Sequence, residues 1–293
     1  MRFFDVSLDT LIQFALSGVT IGSIYGLVAL GFTLVFNATG IINFAQGQFV
    51  MLGGLLATTF ANELGIPISI SAVSAILLTA LIGAGIALIT IQPMRGRPVF
   101  TLIMITLGVS TVMEALALLI WGTDPIFLPG FSEDVPISFF GATLQPQMLW
   151  VLGVTLLAMM ALQFFYHYTM MGQAMLACSF NPLAAASVGI DQQRTVLIAF
   201  LLAAALGALG GVLIAPITTT GYSIGMLVGL KGFSAAIIGG MGSSIGAVVG
   251  GLALGLVESM STGLISSGYK DAISLGALIL FLIIRPQGIF GSK

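Results

Sequence analysis

A chain of 293 residues that is 58% hydrophobic and only 6% charged cannot cover a soluble surface with polar groups, since a typical soluble domain is about 25% charged. A formal net charge of −2 and a mean hydropathy of +1.16 leave no basic surface for a nucleic-acid partner, and the one cysteine, Cys178, excludes an intrachain disulfide. These numbers predict an all-α polytopic membrane protein, a single transmembrane domain over 1–293 with the lipid bilayer as its solvent.

A helix crosses the hydrocarbon core with about 20 apolar residues. Runs near 11–36, 43–62, 68–91, 100–122, 148–169, 195–217, 244–266 and 269–285 meet that length. A shorter piece at 226–241 reaches only about 22 Å at 1.5 Å per residue, so it is expected as a tilted short span or a half-helix. The expectation is thus eight or nine spans, some of them short or broken. Glycine is abundant at 38 residues, which suits helices that meet through small side chains, because lipid gives them no hydrophobic reason to associate. GxxxG spacing recurs at Gly18, Gly22 and Gly26, at Gly207 and Gly211, at Gly246 and Gly250, and at Gly251 and Gly255.

Between the first two spans lies INFAQGQFVMLGG (42–54), where Asn43, Gln46 and Gln48, with Asn37 just before, interrupt the apolar pattern. Two readings are open. The amides could sit in the headgroup region of an ordinary cytoplasmic turn, or they could satisfy the backbone of a helix break at membrane depth, which is tolerated only beside protein or a water-filled cavity. Gly47, Gly53 and Gly54 would let a neighbouring backbone approach. Farther on, Glu114 is an acid within a span. Loop 123–147, with its four prolines and alternating apolar residues, is expected as an irregular or short hairpin cap outside the membrane.

Loop 170–194 carries Asn181-Pro182, an N-cap followed by a first helical position, then LAAASVGI ending near Gly189. This predicts a short helix that is not a span and that a partner could hold, with Ala185 within it. In the run 244–266, Gly250, Leu254 and Glu258 follow i, i+4, i+8, so Glu258 is expected to point into the bundle. It is either a carboxyl tying helices together, for which glutamine would serve nearly as well, or a group on the transport path. Lys231 is expected to snorkel to the outer surface rather than pair with an acid. Trp121, Trp150, Tyr166, Tyr168 and Tyr269 lie at span ends and are expected as an interfacial belt. The single His167 offers no metal site.

Basic residues favour the cytoplasmic side. Arg95, Arg97, Arg194, Arg285 and Lys293 fall in one set of loops and ends, and Asp5, Asp9, Glu63, Asp124, Glu133 and Asp134 in the other. This places the N-terminus outside and the C-terminus inside, which needs an odd number of crossings, nine with 226–241 included. No GxxxxGK[ST], HExxH or Ser/His/Asp set is present, so neither an enzyme nor a cofactor-binding chain is expected.

Several blocks, GSIYGLVALGFTLVFNATGIINFAQGQFVMLGG (22–54), GLKGFSAAIIGGMGSSIGAVVGG (229–251), GLVESMS (255–261), YKDAIS (269–274) and RPQGIFG (285–291), strongly resemble LivH-type permeases of branched-chain amino acid ABC importers. The likeness runs across nearly the whole chain. It implies the helical fold of the vitamin B12-type importers, a LivM-type permease partner, two cytoplasmic ATPases that use the ATP, and a periplasmic solute-binding protein in a bacterial inner membrane. It favours the helix-break reading, placing Asn43, Gln46, Gln48 and Glu258 as candidate pathway residues. It also implies that loop 170–194 couples to an ATPase through Asn181, Pro182, Ala185 and Gly189. The family's G-R-A-x-R-A entry is replaced by Gly172-Gln173-Ala174-Met175-Leu176-Ala177, without either arginine. Mechanism by resemblance is alternating access. The rival is a self-sufficient ion-coupled transporter or channel using Glu258 and Glu114.

Overall fold

The computed structural model describes residues 7–94, 96–133, 135–139, 142–264, 266–285 and 287–291. Asp5, Arg95, Asp134 and Lys293, used above for orientation, lie outside them. The chain forms α1 (Leu8–Thr39), α2 (Gln46–Asn62), α3 (Ile68–Ile86, prolonged to Met94 by a π-helical and a 3-10 turn) and α4 (Val99–Trp121). A two-stranded hairpin follows, β1 (Ile137–Phe139) with β2 (Ala142–Leu144). Then come α5 (Pro146–Tyr168), α6 (Met170–Phe180), α7 (Pro182–Ser187), α8 (Gln192–Ile214), α9 (Ile224–Gly239), α10 (Ser244–Leu264) and α11 (Lys270–Ile284).

Local chemistry sets many of these limits. Ser7 caps α1 by accepting from the Thr10 N–H, and Gly40, in the left-handed region at φ 70°, ends it with its N–H on Phe36 O. Proline stands just before α3 and α4 and at the first position of α5, where its missing N–H has no helical partner to lose. The hairpin pairs Ile137 with Leu144 in antiparallel register, as the loop's alternation led one to expect.

Connections alternate between two faces. On the first, Gln13 accepts from the Thr143 N–H, Asn62 donates to Phe127 O, and Ile126 bridges Thr220. On the second, Asn37 donates to Gly242 O and Gln92 to Gln193 O. There too the chain's final stretch adds to the end of α9, with Ile289 N–H on Ile238 O and Phe290 N–H on Gly239 O. Seven described helices are long and apolar enough to cross a bilayer, with the shorter apolar α6 and α9 and the 17-residue α2 beside them. Arg97, Arg194 and Arg285 share the second face, and Asp9, Glu63, Asp124 and Glu133 the first.

α1 is the buried axis. Its glycines meet α10 so closely that a Cβ on Gly22 would lie 2.7 Å from Gly251 O, and one on Gly18 would lie 2.9 Å from Leu256 Cα. Only hydrogen fits in that seam, which the GxxxG spacing predicted. Gly207 and Gly211 likewise receive α2, and Gly246 and Gly250 receive α9. By contrast α4, α5 and α11 leave most of their length exposed, as lipid- or partner-facing helices do.

Candidate functional site: a helix break and the groove beside it

After Gly40 the chain does not turn along a surface. It climbs back into the bundle, with Ile41, Asn43 and Ala45 buried, and α2 starts level with Gly31 of α1, two turns above the end of that helix. The break is therefore internal. Its backbone is satisfied piece by piece: Asn43 Oδ1 accepts from the Ala45 N–H at 3.1 Å, and Thr106 Oγ1 accepts from the Phe44 N–H at 3.2 Å. Gln46 donates to Ala203 O on α8 at 2.9 Å, and Gln48 donates to Ser110 Oγ on α4 at 3.1 Å. Yet Asn43 Nδ2, Gln46 Oε1 and Gln48 Oε1 are buried with no partner among the described residues. A group so placed costs about 1–3 kcal/mol, and three of the seven such side-chain atoms among the described residues fall in this one break.

α9 begins at the same depth from the opposite direction. Residues 215–223 dip inward until Thr220 lies against Gly54, and Gly225 and Gly229 then pack on Gly47. Two helices thus start head to head inside the bundle, each presenting the positive end of its dipole. Beside this junction opens a groove of about 290 Å³. Leu107, Ser110, Thr111 and Glu114 form one face of α4 and one wall, while Gly225, Met226, Gly229, Leu230 and Phe233 of α9 form the other. Phe32 and Phe44 make the floor, with ring centroids 5.7 and 5.8 Å from that of Phe233. Glu114 is half-buried in the groove with no hydrogen bond or ion pair among the described residues. At membrane depth a carboxylate of this kind is expected beside water, cargo or another chain rather than lipid.

Glu258 is elsewhere, on the opposite side of α9. It is 1% exposed and takes Tyr25 Oη at 3.0 and 3.1 Å, Lys231 Nζ at 3.0 Å and Lys270 Nζ at 2.8 Å. Lys231 also meets Asp271 Oδ1 at 2.7 Å and stands 5.7 Å from the Tyr25 ring centre. The expected snorkelling of Lys231 is corrected here: its side chain is 12% exposed, because two carboxylates within reach hold an ammonium better than a stretch toward the surface would. The carboxyl ties α1, α9, α10 and α11 together. The structure brings Asn43, Gln46 and Gln48 together and leaves Glu258 apart.

On the second face, Asn181 Oδ1 accepts from the Leu183 and Ala184 N–H groups at 3.1 and 3.0 Å, Pro182 opens α7, and Gly189 follows it at φ 87°. The short helix exists as read. Ala185, however, is 4% exposed and faces inward, while Phe180, Leu183 and Val188 are 88%, 83% and 76% exposed. Pro182 and Gly40 line one cavity of about 470 Å³ together with Asn37, Arg97 and Cys178, so α7 and the break share a wall. Among the aromatic residues, Tyr168, Tyr269 and Trp150 are exposed as a belt requires. Tyr166 is corrected: at 3% exposure it belongs to the core.

Sequence reasoning missed Phe32, Phe44 and Phe233, Ser110, and Tyr25 and Lys270 as partners of Glu258. Phe44 was legible as an aromatic within a polar break; Phe233 and Tyr25 carried no signal apart from their neighbours in space.

Residues 14–283 match the family described as "Branched-chain amino acid transport system / permease component". The chain belongs to that family. It is 34% identical, over 96% of its length and 95% of the relative's, to the high-affinity branched-chain amino acid transport system permease protein LivH of Escherichia coli (strain K12). It is 32% identical, over the same shares, to the corresponding permease protein BraD of Pseudomonas aeruginosa. The ribose import permease protein RbsC of Escherichia coli (strain K12) is a more distant relative, 25% identical over 89% of this chain and 82% of the relative. Among solved structures, "PsaBC from Streptococcus pneumoniae in complex with Fab" matches with TM-score 0.54 over 96% of this chain and 94% of that chain, at 17% identity, a likeness of fold. The protein is a multi-pass membrane permease component of an ABC transport system, from a transport family rather than an enzyme family. This supports a permease component over the self-sufficient ion-coupled carrier, whose first candidate, Glu258, stands in contact with two lysines.

Proposed function

We propose that the chain is one of two related permease subunits of a binding-protein-dependent importer for branched-chain or other hydrophobic amino acids in a bacterial inner membrane. A LivM-type subunit is its partner, two cytoplasmic ATPases supply the energy, and the chain itself is no enzyme and binds no cofactor. The second face, with Arg97, Arg194 and Arg285, is cytoplasmic; the first receives the binding protein. The observation that carries the reading is the α4/α9 groove, where a half-buried, unpaired Glu114 stands on an aromatic floor beside a helix break. Asn43, Gln46 and Gln48 act from behind this groove, as supports of the path rather than its lining. Glu258 is a structural tie.

Coupling runs through α6 and α7. The family's arginines are missing here, and what α7 offers in their place is apolar: Phe180, Leu183 and Val188. The ATPase groove is therefore met by hydrophobic contact, Asn181, Pro182 and Gly189 serve to shape the helix, and Ala185 seats it against the bundle. Movement of α7 reaches the break through the cavity wall they share, and from there the groove alternates in access.

The test is reconstitution of the full complex in proteoliposomes. Leucine uptake that requires both ATP and the binding protein is expected; uptake driven by an ion gradient without ATP would overturn the proposal.

A further inference from the structure

We propose that the cavity between α7 and the helix break is a binding site for an amphiphilic anion, with its oxyanion head on Arg97 and its apolar chain running inward. The cavity holds about 470 Å³, within the roughly 300–1,000 Å³ usual for ligand sites. Its wall changes character with depth. Arg97 and Ser179 are exposed and form the mouth, whereas Ile41, Ile91 and Val196, at 1%, 2% and 4% exposure, form the bottom. Charge then fixes the sign of the ligand. Among the described residues no acid lines the cavity, and the Arg97 side chain has neither a hydrogen bond nor an ion pair. Arg194, on the same face, is by contrast tied to Asp191 at 3.1 Å. Arg97 is thus a planar, permanently charged fork left open beside an apolar hollow.

That combination selects a chemical class. A bare inorganic anion would satisfy Arg97 and leave the apolar bottom unfilled, and an amine would be repelled by the guanidinium. An uncharged alkyl chain would leave the charge unused. A phosphate or carboxylate carrying an apolar chain answers both ends, because the guanidinium can meet either oxyanion through two parallel N–H bonds. Two sources share this chemistry. One is an anionic phospholipid of the adjoining leaflet, to which basic pockets between spans are suited; the other is a soluble anionic amphiphile. Val99, on the first turn of the exposed helix α4 and itself 54% exposed, borders the cavity on that side.

Cys178, 3% exposed on the same wall, is a built-in reporter, and the chain has no other cysteine. The test follows its modification by N-ethylmaleimide, a neutral reagent, through peptide mass spectrometry of the full-length chain in its assembled complex in phosphatidylcholine nanodiscs. At ten times its half-protecting concentration, hexyl phosphate is expected to slow modification about tenfold. Hexylammonium, which has the wrong charge, and inorganic phosphate, which lacks the chain, are expected not to protect at that concentration. Nanodiscs containing phosphatidylglycerol, with no hexyl phosphate added, separate the sources. Slowing there supports the lipid as occupant; slowing by hexyl phosphate alone supports the soluble amphiphile. Arg97→Gln should raise the protecting concentration about fivefold, the upper end for an ion pair open to solvent, and Arg97→Lys should recover part of that loss. Equal protection by hexylammonium, unchanged protection in Arg97→Gln, or no protection by either anion overturns the proposal. Ser179→Cys at the mouth replaces the reporter if Cys178 does not react. Should Arg97→Gln fail to assemble, the comparison of head groups on the unsubstituted chain still decides.

Discussion

On one side of α9, Lys231, Lys270, Glu258, Asp271 and Tyr25 form a closed set in which each charge has an opposite neighbour within 3.0 Å. On the other side, a few residues away along the same helix, Gln48 Oε1 and Glu114 have none among the described residues. Both regions place polar groups in an apolar bundle, where each unsatisfied one is destabilising. The saturated side fixes helices relative to one another. The unsaturated side keeps its hydrogen-bonding capacity open, the arrangement expected where something transient is to be bound.

The sharpest way to break this contrast is to remove the hub. Glu258→Leu should destabilise the folded chain by about 3 kcal/mol, because it removes the buried carboxylate shared by Lys231, Lys270 and Tyr25 and leaves Lys231 only the exposed Asp271, and Glu258→Gln should come close behind, since a neutral amide cannot balance two ammonium groups. Adding Lys231→Met to Glu258→Leu should recover much of that loss, as an apolar pair of similar volume is tolerated. Thermal unfolding in detergent would check the series, and a Glu258→Gln protein as stable as the unsubstituted chain would contradict it. Next in size, Gly22→Ala should cost about 1–3 kcal/mol by overpacking the α1–α10 seam, whereas Gly108→Ala on α4, where a Cβ meets nothing within 4 Å, should be silent in the same assay.

The other side should answer in the opposite sense. Gln48→Leu removes an unpaired carbonyl together with one hydrogen bond, so stability should shift by no more than about 1 kcal/mol, while uptake by the reconstituted complex falls. A loss of stability as large as that of Glu258→Leu would mean that both sides are structural. A comparably small effect lies outside both regions. Asn181→Ala should cost about 1 kcal/mol locally by uncapping α7, weakening ATPase attachment in a manner insensitive to salt, as measured by copurification across ionic strength; steep salt dependence would point to ionic docking instead.

How much of this was legible beforehand follows the same divide. Apolar length set the helices to within a few residues, since bilayer thickness leaves little freedom, and Asn181-Pro182 announced α7 through chemistry that is entirely local. The break at 40–45 was visible because amides are conspicuous among apolar runs, but its depth was not: only contact with Gly31 and Ala203 shows that α2 starts inside. Lys231 was misjudged because its partners lie 27 and 40 positions away in sequence. The groove joins α4 to α9 across more than a hundred residues, and nothing in either segment names the other.

The last residues of the described chain act on that groove from a distance. By capping the carbonyls of Ile238 and Gly239, Ile289 and Phe290 anchor the far end of the helix whose first turn lines the groove. α9 is therefore held at its second-face end by these two bonds and at its first turn by the close contact of Gly225 and Gly229 with Gly47. Removing residues 287–291 is therefore expected to leave the carbonyls of Ile238 and Gly239 without these donors and to loosen that end of α9, where Ile289 also packs against the core.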